Sequence, residues 1–160
     1  MSLNSSALKP ATVPESNLTP GSTGSLASLI DQEIVFPAGL LGFPQARRYR
    51  LKRFDPGDGN ESPFLLLSSL DEDLSFPLIH PDCISKDYCV PVFPELLRSL
   101  EADSEQDLLP LLIVTVRDCV DQITVNLQGP LLVNVVSRLA VQLVLEEYPL
   151  RHPLVVMSNR

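Results

Sequence analysis

Prolines are spread along the whole chain, and they limit what it can fold into. The 160 residues include 15 prolines, about twice the usual share. A proline inside a helix removes a backbone hydrogen bond and clashes with the preceding turn, so long helices have little room. The apolar runs between the prolines are short and are bounded by turn-forming residues. The sequence therefore predicts short strands and turns rather than long helices.

Alternating and apolar segments predict the individual strands. Residues 47–54 alternate, with Tyr49 and Leu51 on one face and basic residues on the other, which is typical of a half-buried strand. Asp58-Gly59 predicts a hairpin turn after this strand. Leucines at helical spacing predict one short helix over residues 94–100. The remaining strands are predicted at residues 34–36, 64–67, 75–79, 111–117 and 123–127.

The stretch 131–145 has the length of a buried helix but not its periodicity. Most of its valines and leucines fall on one parity, while Asn134, Arg138, Gln142 and Glu146 fall on the other. A repeat of two residues fits this pattern better than the helical repeat of 3.6 residues, and it predicts two strands or one long bent strand. About eight strands with short connections predict a mainly β, single-domain fold, barrel-like or sandwich-like, with one or two short helices.

The amino-terminal segment differs in composition from the rest of the chain. Residues 1–28 are rich in serine, proline, threonine and small side chains, so they are predicted to be a disordered extension. Leu26 and Leu29 are the first side chains that could pack on the folded domain, which is predicted over residues 29–156. No basic-then-apolar start and no membrane-length apolar run are present, so we expect no signal peptide and no membrane span.

Charge and cysteine content restrict the partners and the compartment. The formal net charge is −8, which disfavours nucleic acid or an anionic membrane as a partner and favours a basic protein or simple solubility. Cys83, Cys89 and Cys119 are odd in number and form no CxxC pair. This is typical of reduced thiols, and we expect a cytoplasmic protein.

An acidic, polar step interrupts the apolar sequence between Phe64 and Tyr88. Asp71, Glu72 and Asp73 lie between two predicted strands, and no lysine or arginine occurs between Phe64 and Lys86. These carboxylates are therefore expected to lie on an exposed loop without a local counter-charge. Such a negative patch can dock a basic partner, and the three acids are the predicted contact, with Glu33 as a weaker candidate.

Catalytic and metal chemistry have little support in the sequence. Metal-ligand side chains occur within ten residues, but their cysteine spacing matches no standard zinc pattern, and small buried thiols are the preferred interpretation. The residues are His80, Asp82, Cys83, Asp87 and Cys89. A nucleophilic pair of Cys83 or Cys89 with His152 stays open without supporting geometry. The sequence predicts no enzyme, no cofactor and no metal site.

A basic cluster offers an alternative function. Arg47, Arg48, Arg50, Lys52 and Arg53 are interleaved with aromatic side chains, a pattern that can bind single-stranded nucleic acid. However, charged residues also protect an edge strand from aggregation. Nucleic-acid binding is therefore the second hypothesis, and the negative net charge of the chain counts against it.

Four separated pieces in order form a pattern over residues 30–154. They are the F-x-x-G-x-x-G-F segment 36–43; Leu67–Ser69 with the acids, Phe76, Pro81, Asp87 and Tyr88; the segment from Asn126 through Pro130 to Asn134; and Gln142 with Tyr148 and Arg151. In register, these pieces resemble the FliW family of bacterial flagellar assembly factors. Ser68 departs from the family, which often has glutamine there. Cys83, Cys89 and the first thirty residues are not part of the pattern.

The resemblance implies a fold and a mode of action. It implies a small β-barrel-like domain without enzymatic activity that binds the translational repressor CsrA and flagellin. In that scheme the protein acts on CsrA allosterically, away from its RNA surface, and flagellin displaces CsrA. An acidic chain complements a basic RNA-binding protein.

Other residues of the pattern are expected to be structural. Asn126, Pro130 and Asn134 are predicted to make turn and strand-end hydrogen bonds. Gly39 and Gly42 are predicted to serve backbone geometry. The aromatic residues Phe43, Phe76 and Tyr88 are predicted to lie in the core.

Overall fold

Over the residues that the structure describes, the chain folds into an antiparallel sheet of nine strands with two short helices. The computed structural model describes residues 23–55, 57, 59, 62–116 and 123–154, with side chains from residue 26 onward. The strands are β1 (Glu33–Val35), β2 (Arg48–Arg53), β3 (Phe64–Ser69), β4 (Ser75–Ile79), β5 (Leu108–Val116), β6 (Ile123–Val125), β7 (Leu131–Asn134), β8 (Ala140–Gln142) and β9 (His152–Pro153). The helices are α1 (Thr23–Leu29) and α2 (Pro94–Ser99), with 3-10 turns at Pro81–Cys83 and Glu105–Asp107.

The long strand β5 organises the sheet. The strand order is β1-β2-β3-β4-β5-β6-β9, and β7 pairs with both β5 and β8. Among the described strands no pair closes the sheet. However, the N–H of Val35 donates to the carbonyl of Arg138 at 2.9 Å, just before β8. The sheet therefore curls towards a barrel without closing, and the predicted mainly β fold with one or two short helices is confirmed.

Two connections meet at one end of the curled sheet. Because β1 to β4 are antiparallel neighbours, the β1–β2 loop (36–47) and the β3–β4 loop (70–74) lie at the same end. Strand β8 runs parallel to β1, so Gln142 also reaches this end. We call it the loop end, and residues 70–74 the acidic loop. The β7–β8 turn (135–139) lies at the opposite end.

The core forms because β2, β3 and β7 place large apolar side chains inside the curl. In β2, Tyr49 and Leu51 are buried while Arg48 and Lys52 are exposed, as the alternation predicted. The central cluster is Leu29, Ile34, Phe36, Leu40, Ala46, Tyr49, Leu51, Leu65, Leu67, Leu78, Leu109, Leu111, Leu131, Val133 and Ala140. Leu96 of α2 and Leu100, which directly follows the helix, share a second apolar cluster with Leu132 of β7.

Several predicted boundaries differ from the structure. The stretch 131–145 forms two strands, which is one of its two predicted alternatives. Asn134 is fully buried, although its parity placed it on the polar face. Its side-chain amide donates to the Leu100 carbonyl at 2.8 Å, because the segment after α2 covers this face. Strand β5 begins three residues earlier than predicted, and the two-residue strand β9 was not predicted.

The amino-terminal boundary is also corrected. Residues 23–28 were assigned to a disordered extension, yet Thr23–Leu29 forms α1. Leu29 is fully buried in the central cluster and Leu26 packs against it, so two apolar contacts order this helix on the domain. Residues 1–22 lie outside the described residues, and their disorder stays a prediction.

Candidate functional site

Side-chain hydrogen bonds fix the acidic loop to the start of β2. The hydroxyl of Ser69 accepts from the N–H groups of Asp71 (3.0 Å) and Glu72 (2.9 Å). Oδ2 of Asp71 accepts from the N–H groups of Arg47 (3.1 Å) and Arg48 (3.0 Å). Oδ1 accepts from Nε (3.0 Å) and Nη2 (2.9 Å) of Arg48. One carboxylate therefore ties this loop to the neighbouring connection.

The predicted lack of a counter-charge is wrong for Asp71. Nε and Nη2 of Arg48 both donate to Oδ1 of Asp71 in an ion pair, and such charge-assisted hydrogen bonds are stronger than neutral ones. The backbone N–H groups of Arg48 and Arg47, and then the Arg48 guanidinium, hold the pKa of Asp71 below its usual range. Its oxygens are occupied within the molecule, so Asp71 acts as an anchor. No signal near the acids in sequence reveals this, because Arg48 is 23 residues away.

Glu72 and Asp73 are the acids that remain available to a partner. Both are exposed, and their carboxylates have no hydrogen bond or ion pair with any described residue. Glu33 is different, since it lies half-buried on β1 directly opposite Arg50 of β2. The structure thus separates the four predicted contact residues into an anchor, two free acids and one acid beside a basic neighbour.

The β1–β2 loop is a tight turn held from both sides. Leu40 and Phe43 exchange backbone hydrogen bonds of 3.3 and 2.8 Å across Leu41 and Gly42. Gly39 and Gly42 have φ values of 71° and 88°, a left-handed conformation that favours glycine. A Cβ at Gly39 would lie 2.6 Å from the Phe43 carbonyl oxygen. The predicted backbone role of these glycines is confirmed.

Gln142 joins two distant pieces of the sequence pattern. Its Oε1 accepts from the N–H of Leu41 (2.8 Å), and its Nε2 donates to the carbonyl of Gly129 (3.0 Å). Asn126 accepts from the N–H of Gly129 at 2.8 Å, which confirms its predicted turn role. The carbonyl of Pro130 accepts from Leu143 at 2.9 Å. Sequence reasoning noted Gln142 in the pattern but missed this link, which joins positions 101 residues apart.

The three predicted core aromatics occupy different depths. Phe76 packs between Phe43 and Tyr49, with ring centroids 5.4 and 6.3 Å away. Tyr88 is half-buried against Tyr148, and its hydroxyl donates to the Leu127 carbonyl at 2.6 Å. Phe43, however, keeps 36% of its surface exposed. The core prediction is therefore wrong for Phe43, whose ring packs on Phe76 at the surface of the core.

The His80 region has a local structural role. Nδ1 of His80 accepts from the N–H of Asp82 at 3.1 Å and caps the 3-10 turn. Burial lowers the pKa of His80 and raises that of the Cys83 thiol, which opposes a thiolate nucleophile. No group of three or more histidine, cysteine or acidic side chains among the described residues could hold a metal ion. Cys119 lies outside those residues.

Three of the five basic side chains, those of Arg47, Arg48 and Arg50, make contacts within the protein, while Lys52 and Arg53 are exposed. Arg48 is paired with Asp71, and Nη1 of Arg50 donates to the Asp31 carbonyl at 3.0 Å. Tyr49 is fully buried, so its ring is not available for stacking on a base. These contacts favour the structural interpretation of the basic cluster over nucleic-acid binding.

Membrane crossing by a helix finds no support in the part of the chain that the structure describes. Neither α1 nor α2 has the length and apolar character needed to span a bilayer.

Comparisons with known proteins give a consistent family. The family model described as FliW protein matches residues 20–154. The flagellar assembly factor FliW of Treponema denticola is 36% identical over 124 residues, covering 76% of this chain and 81% of that protein. The corresponding protein of Natranaerobius thermophilus is 35% identical over 128 residues, covering 78% and 82%.

A solved structure agrees with these relatives. The crystal structure of a flagellar assembly factor FliW matches with a TM-score of 0.65 at 28% sequence identity, covering 79% of this chain and 86% of that one. The family model and the curated relatives each span most of the domain. This chain therefore belongs to the FliW family of flagellar assembly factors.

Proposed function

We propose that this chain is a non-enzymatic flagellar assembly factor that binds a CsrA-type translational regulator and flagellin. Binding antagonises the regulator allosterically, away from its RNA surface, and flagellin displaces it. The free flagellin level then controls flagellin translation. The protein acts in the cytoplasm, where translation occurs. Its membership of the FliW family supports this proposal.

The observation that carries the proposal is the anchored acidic loop. Ser69 and Asp71 hold its backbone, so little conformational freedom is lost when a partner binds. Glu72 and Asp73 project from it without partners among the described residues. In a chain of net charge −8, they complement a basic RNA-binding protein and accelerate its association.

Charge reversal tests this contact. The variant Glu72→Lys with Asp73→Lys should weaken binding of the host's CsrA-type regulator by roughly tenfold or more at low salt, because it replaces attraction with repulsion. The difference should shrink as salt screens the charges. Isothermal titration calorimetry at two salt concentrations measures both effects.

A matched control carries the same change in net charge elsewhere. Glu101 and Asp103 are exposed on the segment after α2, and reversing both should leave affinity near the wild-type value. Equal loss in both double variants would show a non-specific charge effect. Wild-type affinity in the Glu72 and Asp73 variant would remove the acidic loop from the contact.

A further inference from the structure

The β1–β2 loop presents apolar surface beside the acids. Residues 34–46 contain no charged side chain, although residues 37, 38 and 41–45 are all exposed. Leu41 at the tip of the turn is 59% exposed, and Phe43 is 36% exposed. Turn tips usually carry polar residues, and clustered exposed apolar side chains mark interaction sites.

This apolar surface is presented on a fixed backbone. The N–H of Leu41 is bound by the Gln142 side chain at 2.8 Å. The paired Leu40 and Phe43 close the turn, and the Phe43 ring rests on Phe76. A contact made by Leu41 therefore loses little backbone entropy on binding.

The apolar turn and the acidic loop are physically joined. Arg47 connects them, because its N–H donates to Asp71 and its Nε donates to the Pro44 carbonyl at 3.4 Å. Leu70, at the start of the acidic loop, is 39% exposed. We define the loop-end surface as Leu41, Phe43, Leu70, Glu72 and Asp73. It combines apolar side chains with two acids that form no ion pair with any described residue, beside Arg47 and Arg48, which hold Asp71.

We propose that the loop-end surface binds one segment of a basic protein, which packs an apolar side chain against Leu41 and Phe43 and directs a basic side chain to Glu72 and Asp73. This inference rests on the proposed function, because it adds an apolar contact to the acidic contact proposed for the same regulator. Charge complementarity selects the occupant. A second copy of this chain would bring the same acids together and is disfavoured.

In this arrangement the apolar half of the surface, Leu41 and Phe43, supplies most of the affinity, and the acidic half is Glu72 and Asp73. A buried leucine side chain stabilises a contact far more than an exposed ion pair does. The acids mainly raise the association rate and confer salt dependence. The two halves can therefore be separated by experiment.

Leu41→Ser tests the apolar half, and Val136→Ser is its matched control. Val136 is 72% exposed and lies in the β7–β8 turn at the opposite end of the sheet. Titration calorimetry with the host's CsrA-type regulator should show affinity at least about tenfold weaker for Leu41→Ser. The salt dependence should stay as in the wild type, and Val136→Ser should bind normally. Thermal unfolding should confirm that both variants are folded.

The outcomes separate this inference from the proposed function. Wild-type affinity for Leu41→Ser, with weakened binding after reversal of Glu72 and Asp73, would overturn the apolar contact and leave the proposed function standing. Equal weakening by Val136→Ser, or a wild-type dimer abolished by Leu41→Ser in sedimentation, would also overturn it. A wild-type protein that binds no regulator would end both proposals.

Discussion

Two glycines of one loop illustrate how a single residue is constrained by its surroundings. Gly39 and Gly42 share a left-handed backbone, so an alanine at either is strained. The room for a side chain differs between them. A Cβ at Gly39 would lie 2.6 and 2.7 Å from backbone atoms of Phe43 and Pro44, whereas a Cβ at Gly42 would have nothing within 4 Å. The sequence indicated a backbone role for both, but only the tertiary contacts distinguish them.

This difference gives a stability prediction. Gly42→Ala should lower the free energy of unfolding by about 1 kcal/mol, since it adds only conformational strain. Gly39→Ala should lower it by roughly 2–4 kcal/mol, because backbone atoms must also move. Urea denaturation of both variants measures the values. Equal losses would show that the close approach at Gly39 is not a constraint.

At the level of loops and strands, one carboxylate joins two connections that the sequence keeps apart. Asp71 accepts from both Arg47 and Arg48 at the start of β2. These bonds lower the pKa of the Asp71 carboxyl, so the ionised carboxylate stabilises the folded protein more than the protonated carboxyl does. The stabilisation is fully present above the ordinary carboxyl pKa near 4 and is lost as pH falls through the lower folded value.

Asp71→Asn should therefore be less stable than the wild type at pH 7, and the difference should narrow as pH falls below about 4. Thermal unfolding measured at several pH values tests this. Asp73→Asn is the matched control, since that carboxylate has no partner among the described residues, and its stability should follow the wild type. A constant difference between Asp71→Asn and the wild type at all pH values would contradict the anchor.

Strand patterns show where local reasoning succeeds and where it fails. Alternation in β2 correctly placed Tyr49 inside and Arg48 outside. The same rule failed at Asn134, because α2 and its following segment cover the face that would otherwise meet solvent. An alternating pattern shows that the two faces of a strand differ in polarity. Whether the polar face is also buried depends on whether another element, here α2 and the segment after it, packs over it.

For the whole molecule, the proposed displacement of the regulator by flagellin predicts that the two partners exclude each other. Size-exclusion chromatography of the protein with the host regulator and flagellin should give two separate complexes and no ternary one. Adding flagellin should release the regulator in a dose-dependent way. The Glu101 and Asp103 reversal variant should behave as the wild type. A stable ternary complex would contradict mutual exclusion.

The sequence alone determined the mainly β class, the family pattern and the exposed acids, because prolines, alternation and turn residues act over a few neighbouring positions. The tertiary structure decided which of those acids is free. It paired Asp71 with Arg48 and linked Leu41 to Gln142, across 23 and 101 residues, and it left Phe43 at the surface. Such contacts depend on strand register and on the curl of the sheet, which no local pattern specifies.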